Sequence, residues 1–376
     1  MNKLHELYEL GQSVWLDYLH RSLLTSGELQ ELINQGLRGV TSNPTIFERA
    51  ISDSDDYSEQ MQELMTQGKS AQETYEALVI RDIQHAADLF RPVFRDQQAV
   101  DGFFQNYGLD GYVSLEANPH LANDTEATIE EIRRLRHEVN RPNVMFKVPA
   151  TPACMPAIEQ LISDGININI TLMFSTRHYD HVAEAYMRGL EKRLDSGRSI
   201  LNIASVASVF VSRVDSKLDP RLEEMGLDDI QGRIGVASAK QVYQRFMEVF
   251  ISSRWKKLEA EGGQVQRVLW GSTGTKNPDY PDTFYVDNLI GAKTVNTVPP
   301  DTLEAFIDHG TAAYTIDRKL LEAHQQMSRL AKAGIDIAEI GDELQKEGVE
   351  KFSRSFDNLM QKITEKRQMI AASIIS

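Results

Sequence analysis

The sequence predicts a closed α/β barrel of the TIM (β/α)8 type, with extra helices after the second strand and at the C-terminus. Three observations carry this expectation. Short apolar runs alternate with longer amphipathic segments through most of the 376 residues. Several runs are near-continuous in Val, Ile and Leu, as expected of parallel strands covered on both faces. Eight such runs can be counted, the number that closes a barrel, with an open doubly wound sheet as the alternative.

The strands are expected at 13–18, 39–42, 112–117, 143–149, 166–174, 200–207, 268–272 and 294–298. Between them, helices are expected at 124–138, 177–194 and 238–259, each with a period near 3.6. The first of these opens on Asn123-Asp-Thr, suited to capping, and is acidic in its first turns. Two parts exceed a minimal barrel: a mostly helical insert at about 53–101, and further helices at about 311–376 that include the periodic run 348–370. With no internal repeat and no low-complexity linker, residues 1–376 are read as one elaborated domain.

An apolar fraction of 41% and a charged fraction of 25% are ordinary for a globular protein. The net charge of −15 gives no general attraction to nucleic acid or to an anionic membrane. A phosphorylated ligand would therefore need a local cationic site. The single cysteine, Cys154, excludes an intrachain disulfide and suits a reducing compartment. The N-terminus has no signal-peptide apolar region, and the longest apolar stretch, 200–211, is too short and polar to span a bilayer. A cytoplasmic protein is expected, with no nucleic-acid or membrane partner and an open choice between monomer and homodimer.

The most unusual local feature is Lys147, set in the apolar strand Asn143-Val-Met-Phe-Lys-Val-Pro-Ala. Burial disfavours the charged ammonium and should lower its pKa, and a neutral lysine can add to a ketone to form an imine. The competing reading is a lysine that reaches solvent or pairs with a carboxylate. Its setting favours chemistry: Asp17, Asn43, Glu116, Lys147, Asn169, Thr171 and Ser208 all fall near strand C-terminal ends, the rim where barrel active sites are assembled. Together they supply an amine, two carboxylates as proton carriers and neutral donors for hydroxyl groups.

The segments around these residues carry a resemblance. Gly39-Val-Thr-Ser-Asn-Pro-Thr-Ile-Phe-Glu-Arg-Ala-Ile closely resembles the transaldolase signature around its second strand. Val113-Ser-Leu-Glu-Ala, Asn143 to Thr151 and Ile168-Asn-Ile-Thr-Leu-Met-Phe-Ser resemble the third, fourth and fifth strands of that family. Ser205-Val-Ala-Ser-Val-Phe-Val-Ser-Arg and Val268-Leu-Trp-Gly-Ser-Thr-Gly-Thr-Lys continue in order, so the match runs from about Val14 to about Leu303. The helical tail with Gly348-Val-Glu-Lys-Phe looks like the longer bacterial branch.

The resemblance implies a cofactor-free transferase of the pentose phosphate pathway. It would move a dihydroxyacetone unit from sedoheptulose 7-phosphate or fructose 6-phosphate to glyceraldehyde 3-phosphate or erythrose 4-phosphate. It further implies that Lys147 is the Schiff-base lysine and that Glu116 is the acid/base acting through a water that Thr171 helps to hold. Asp17 would take the proton of the C4 hydroxyl. Asn43 and Asn169 would hold the three-carbon unit, Ser208 would face the substrate, and Arg213 would bind phosphate. Where the family commonly has a second phosphate-binding arginine, this chain offers Lys276, with Ser272 a possible neutral donor; a lysine gives a point charge and no bidentate fork. The competing readings are a fructose-6-phosphate aldolase that releases dihydroxyacetone, disfavoured because those smaller relatives carry glutamine at the place of Glu116, and a non-catalytic sugar-phosphate-binding barrel.

Other motifs are read as structural. Gly271-Ser-Thr-Gly-Thr-Lys lacks the order and spacing of a nucleotide-binding P-loop. His178 and His181 are read as helix-surface histidines and not as metal ligands. Cys154 is read as a structural thiol, Asp287 as a helix cap, and Trp15 and Trp270 as core residues that could also shield an imine from water.

Overall fold

Eight parallel strands close on themselves in chain order: β1 (Gln12–Leu16), β2 (Gly39–Thr41), β3 (Tyr112–Glu116), β4 (Val144–Pro149), β5 (Ile168–Met173), β6 (Ser205–Phe210), β7 (Arg267–Gly271) and β8 (Thr294–Val298). This is the expected TIM barrel, seen in a computed structural model that describes residues 2–95 and 109–375. β8 returns to β1 with Leu16 opposite Val298, which completes the ring. Parallel strands need crossover helices, and the amphipathic segments between the strands supply them.

Successive side chains of a strand point to opposite faces, so one strand can feed the barrel interior with an apolar residue and, two positions later, a polar one. Trp15, Tyr112, Met145, Val206, Leu269 and Val295 pack together as one buried cluster. Asp17, Ser114, Lys147, Ser208 and Thr297 follow five of them by two positions, and Gly271 follows Leu269. A layer of large apolar side chains therefore lies beneath a layer of polar ones. Gly39 makes the lower layer possible, because a Cβ there would sit 2.7 Å from the Trp15 ring.

Seven of the strands lie within two residues of their expected limits. The exception is the sixth, expected at 200–207 and found at Ser205–Phe210. Ile200, Leu201 and Ile203 read as strand because they are apolar, but Leu201 is 59% exposed and Asn202 takes φ +64°, so the chain is turning there. Ser208 accordingly lies inside β6 and not beyond its end. The helix expected at 238–259 is two helices, Ile234–Val249 and Ser253–Ala260, separated where the Ser252 hydroxyl accepts the Trp255 N–H and caps the second. The helices expected at 124–138 and 177–194 are found at Thr125–Val139, capped by Asp124, and Thr176–Asp195.

The insert after β2 contains the helices Ser58–Thr66, Ala71–Leu89 and Arg91–Arg95, preceded by the helix Pro44–Ser52. Its expected end, 96–101, lies outside the described residues. The longest element is the C-terminal helix Ile337–Ile375. Its Ile340, Leu344, Phe352, Phe356, Leu359 and Ile363 are buried at helical spacing, and it packs on the helices Pro44–Ser52 and Ala71–Leu89 and on β5. Among the described residues, no helix is long and apolar enough to cross a membrane.

Candidate active site

The ten candidate residues converge at the C-terminal ends of the strands. Lys147 stands opposite Glu116 on β3 and Asn169 on β5 in the strand register. Its Nζ donates to Glu116 Oε2 and to the Ser42 backbone oxygen, each at 2.9 Å. The two charged side chains are 6% and 8% exposed. Burial raises the Glu116 carboxyl above its ordinary value of 4.5 and Asp17 adds to the rise, while Lys147 and Arg213 oppose it. A proton can thus be shared across one short contact.

Asp17 follows β1 directly. Its N–H donates to the Val298 oxygen at 2.8 Å, and its Oδ1 accepts the Thr41 hydroxyl at 2.7 Å. Thr41 Oγ1 also lies 2.7 Å from Thr297 Oγ1, so three strands fix one carboxylate. Asn43 caps the helix Pro44–Ser52 by accepting the Ile46 N–H at 3.0 Å, with Pro44 at the first helical position. Ser208 Oγ donates to Asn169 Oδ1 at 2.6 Å, and Asn169 Nδ2 donates to Ser114 Oγ at 3.1 Å, which sets the orientation of that amide.

Thr171 is different. Its hydroxyl is buried and has no hydrogen-bond partner among the described residues, although unpaired buried polar groups are costly. The following residue, Leu172, takes φ +59°, and the β5–β6 register shifts between Ile170 and Met173. A bulky residue in the left-handed region costs on the order of 1–3 kcal/mol and persists only where its surroundings hold it.

Nine of the ten candidates line one cavity of about 140 Å³: Asp17, Asn43, Lys147, Asn169, Thr171, Ser208, Arg213, Ser272 and Lys276. Glu116 does not line it; with Lys147 it lines an adjoining void of about 10 Å³, near the size that holds one water. The cavity opens into a funnel of about 1090 Å³ lined by Arg49, Arg213, Lys217, Lys276 and Lys351. Arg213 lies 4.7 Å from the Phe210 ring centre and 5.5 Å from that of Phe352. Among the described residues Lys217 pairs with Glu343 and Glu347, whereas Arg49, Arg213, Lys276 and Lys351 have no ion pair. Burial, and then repulsion from Arg213, Lys276, Arg354 and Arg49, holds Lys351 below the usual lysine range. Four cations without an ion pair among the described residues thus gather around one opening in a chain of net charge −15. Ser272, at φ +54°, is tied by its hydroxyl to Ser212 at 2.9 Å, which sets the loop after β7 against the start of the helix that follows β6.

The sequence did not reveal Thr41, Arg49, Gln345, Lys351 or Phe352. Phe352 lines the cavity and lies with its ring centre 5.9 Å from Lys147 Nζ, yet it is 205 residues away along the chain. Only the Gly348-Val-Glu-Lys-Phe run, noted for its resemblance, marked the segment.

Three readings of other residues need adjustment. His178 is not a helix-surface histidine: it is buried, accepts the Phe174 N–H at 3.3 Å and meets Asp342 at 3.0 Å, because the C-terminal helix covers it. His181 is exposed as expected. Asp287 does not cap its helix; its carboxylate accepts the Thr283 hydroxyl and the Thr311 N–H, tying a later loop. Trp15 and Trp270 are fully buried but do not line the cavity, so they pack the core and do not wall the amine. Cys154 is a buried thiol directed at the Ala122 oxygen.

Comparison with known proteins agrees with this geometry. A family model described as "Transaldolase/Fructose-6-phosphate aldolase" matches residues 14–363. "Transaldolase 2" of Nostoc sp. is 43% identical over 386 residues, covering 99% of each chain. "Transaldolase" of Saccharopolyspora erythraea is 44% identical over 367 residues, covering 97% of each. "Transaldolase" of Neisseria gonorrhoeae is 43% identical over 360 residues, covering 96% of this chain and 99% of its own. With the match running through all eight strands and both halves of the polar rim, the chain belongs to the transaldolase/fructose-6-phosphate aldolase family.

Proposed function

We propose that the chain is a transaldolase working through an imine on Lys147, in the non-oxidative pentose phosphate pathway and in the cytoplasm. The observation that carries the reading is the buried Lys147–Glu116 contact at the floor of a cavity whose mouth is ringed with unpaired cations. The names of relatives that match nearly the whole chain support it.

In this reading the phosphate of a ketose phosphate settles against Arg213 and Lys276, with Ser272 beside it, and the ketone reaches Lys147. Transfer of the ammonium proton to Glu116 frees the amine lone pair, which attacks the carbonyl carbon to give a carbinolamine. Glu116, through a water held by Thr171, returns a proton to the leaving hydroxyl, and the protonated imine forms with release of water. Asp17 then takes the C4 hydroxyl proton. The C3–C4 bond breaks, its electron pair flows into the imine as an enamine, and the aldose phosphate departs. The Asn43 and Asn169 amides, the latter set by Ser208, hold the three-carbon unit until an acceptor aldehyde enters and the steps reverse.

Retention distinguishes transfer from simple aldol cleavage. Phe352 and Phe210 line the cavity beside these amides and limit access of bulk water to the enamine. Borohydride added with fructose 6-phosphate should fix a three-carbon adduct on Lys147, located by peptide mapping; an adduct elsewhere, or none, removes the reading. With the adduct established, acceptor-dependent transfer measured against free dihydroxyacetone separates a transaldolase from an aldolase.

A further inference from the structure

We propose that Gln345, on the C-terminal helix, is a positioning residue for Thr171: it clamps the strained end of β5 from which that hydroxyl meets the cavity. The inference rests on the reading of Thr171 as the residue that holds the water used in imine formation, and it adds a part of the molecule outside the barrel to that step.

The clamp is visible in the hydrogen bonds. Gln345 is buried, and its Nε2 donates to the Ala150 oxygen at 2.8 Å and to the Leu172 oxygen at 3.1 Å. The Ala150 N–H in turn donates to the Thr171 oxygen at 2.8 Å. Thr171 and Leu172 are thus both tied to the end of β4, one directly and one through a side-chain amide 173 residues away. Leu172 is the residue at φ +59°, a conformation that releases its carbonyl from a regular ladder and needs an outside partner to persist. One amide with two donors supplies that partner and joins the two strands that carry Lys147 and Thr171.

The same helix is built to come close. Gly348 lies one turn beyond Gln345, and a Cβ there would be 2.6 Å from Leu172 Cδ2 and 3.3 Å from Arg213 Nη1. Its missing side chain lets the helix backbone rest on Leu172 while Gln345 reaches the carbonyls. The run Gly348-Val-Glu-Lys-Phe, for which the barrel alone has no use, acquires a purpose: glycine for approach, Phe352 for the cavity wall.

The experiment is a double-mutant cycle on the full chain, read as the rate of borohydride-trappable adduct formation at saturating fructose 6-phosphate. Gln345→Met keeps length and removes both donors. We expect the rate to fall about tenfold, a loss of the size that follows from a small displacement of a reacting group, with the KM for donor within about twofold. Thr171→Val should fall at least as far, and the double variant should be no slower than Thr171→Val alone, because the two substitutions disable one water site. A wild-type rate in Gln345→Met, or losses that multiply in the double variant, overturns the proposal while leaving the Thr171 reading in place. A wild-type rate in Thr171→Val overturns that underlying reading instead. Gly348→Ala, which keeps the Gln345 donors but pushes on Leu172, is expected to show the same non-additive loss with Thr171→Val and serves if Gln345→Met does not fold.

Discussion

Among the described residues the barrel strands carry two buried ion pairs, one at each end, and their surroundings differ. At the N-terminal end Arg267, the first residue of β7, meets Asp110 at 2.9 Å, with side chains 8% and 2% exposed. Ser13 Oγ accepts from Arg267 at 2.8 Å and donates to Asp110 at 2.9 Å, and the guanidinium also binds the Leu109 oxygen. At the C-terminal end Lys147 meets Glu116 at the same 2.9 Å and with similar burial, but only one backbone oxygen adds to the pair and the rest of its surroundings is cavity. The first pair is held by a serine and a backbone oxygen at the N-terminal end of the barrel. The second leaves donors and acceptors for a substrate. Equal burial and equal distance thus produce opposite roles, and the deciding variables are the number of remaining partners and the space beside the charge.

Substitutions at the two ends should therefore separate activity from stability. Lys147→Ala should reduce transfer more than about 10³-fold and abolish the trapped adduct, since the other amine lining the cavity, Lys276, lies on the loop after β7 and is not paired with Glu116. Arg267→Ala should do the reverse: leaving Asp110 buried without its cation is expected to cost about 3–5 kcal/mol in urea unfolding, with the kcat of the folded enzyme within about twofold. Appreciable transfer by the first variant, or a selective loss of kcat in the second, would erase the contrast.

Glu116→Gln keeps the shape of the upper pair but cannot carry a proton, and trapping should slow about 10²-fold. The pH dependence sharpens this. Because the Glu116 pKa is raised by burial, the carboxylate that accepts the amine proton is lost as pH falls through a value above the ordinary 4.5. The wild-type trapping rate should show an acidic limb there, and Glu116→Gln should lack it. The linkage to stability has the matching sign: the native state holds this proton more tightly than the unfolded chain, so the stability associated with it is present below 4.5 and declines as pH rises through the folded value.

Smaller effects are expected at the cationic mouth. Arg213→Ala should raise KM about tenfold for phosphorylated donors and little for unphosphorylated sugars, as one charge-assisted contact is lost. Lys351→Ala should raise the same KM only two- to fivefold, about the effect of an exposed charge, and added salt should shrink the difference between variant and wild type. Steady-state kinetics with paired phosphorylated and unphosphorylated substrates tests both.

Much of this arrangement was legible in the chain because it is local. A lysine inside an apolar strand, carboxylates and amides at successive strand ends, and eight alternating units follow from side-chain period and strand order, so they fix the barrel and point to Lys147, Glu116, Asp17, Asn43, Asn169, Thr171 and Ser208. What could not be read depends on contacts across the chain. The apolar stretch 200–204 shows no local sign that its neighbours leave Leu201 in solvent. His178 looks like a surface residue until a helix 164 residues away covers it. Gln345, Phe352 and Lys351 sit on an amphipathic helix whose sequence says that one face is buried but not against what.

By itself, then, the sequence determined the barrel, its polar rim and a lysine set within an apolar strand, since periodicity and residue type are properties of neighbours in the chain. Only the tertiary structure decided that the C-terminal helix joins the site, that four cations gather at its mouth, and that Arg267 and Asp110 pair at the opposite end of the barrel. Those outcomes depend on packing between segments far apart in sequence, where hydrophobic burial chooses the partner and no local pattern records the choice.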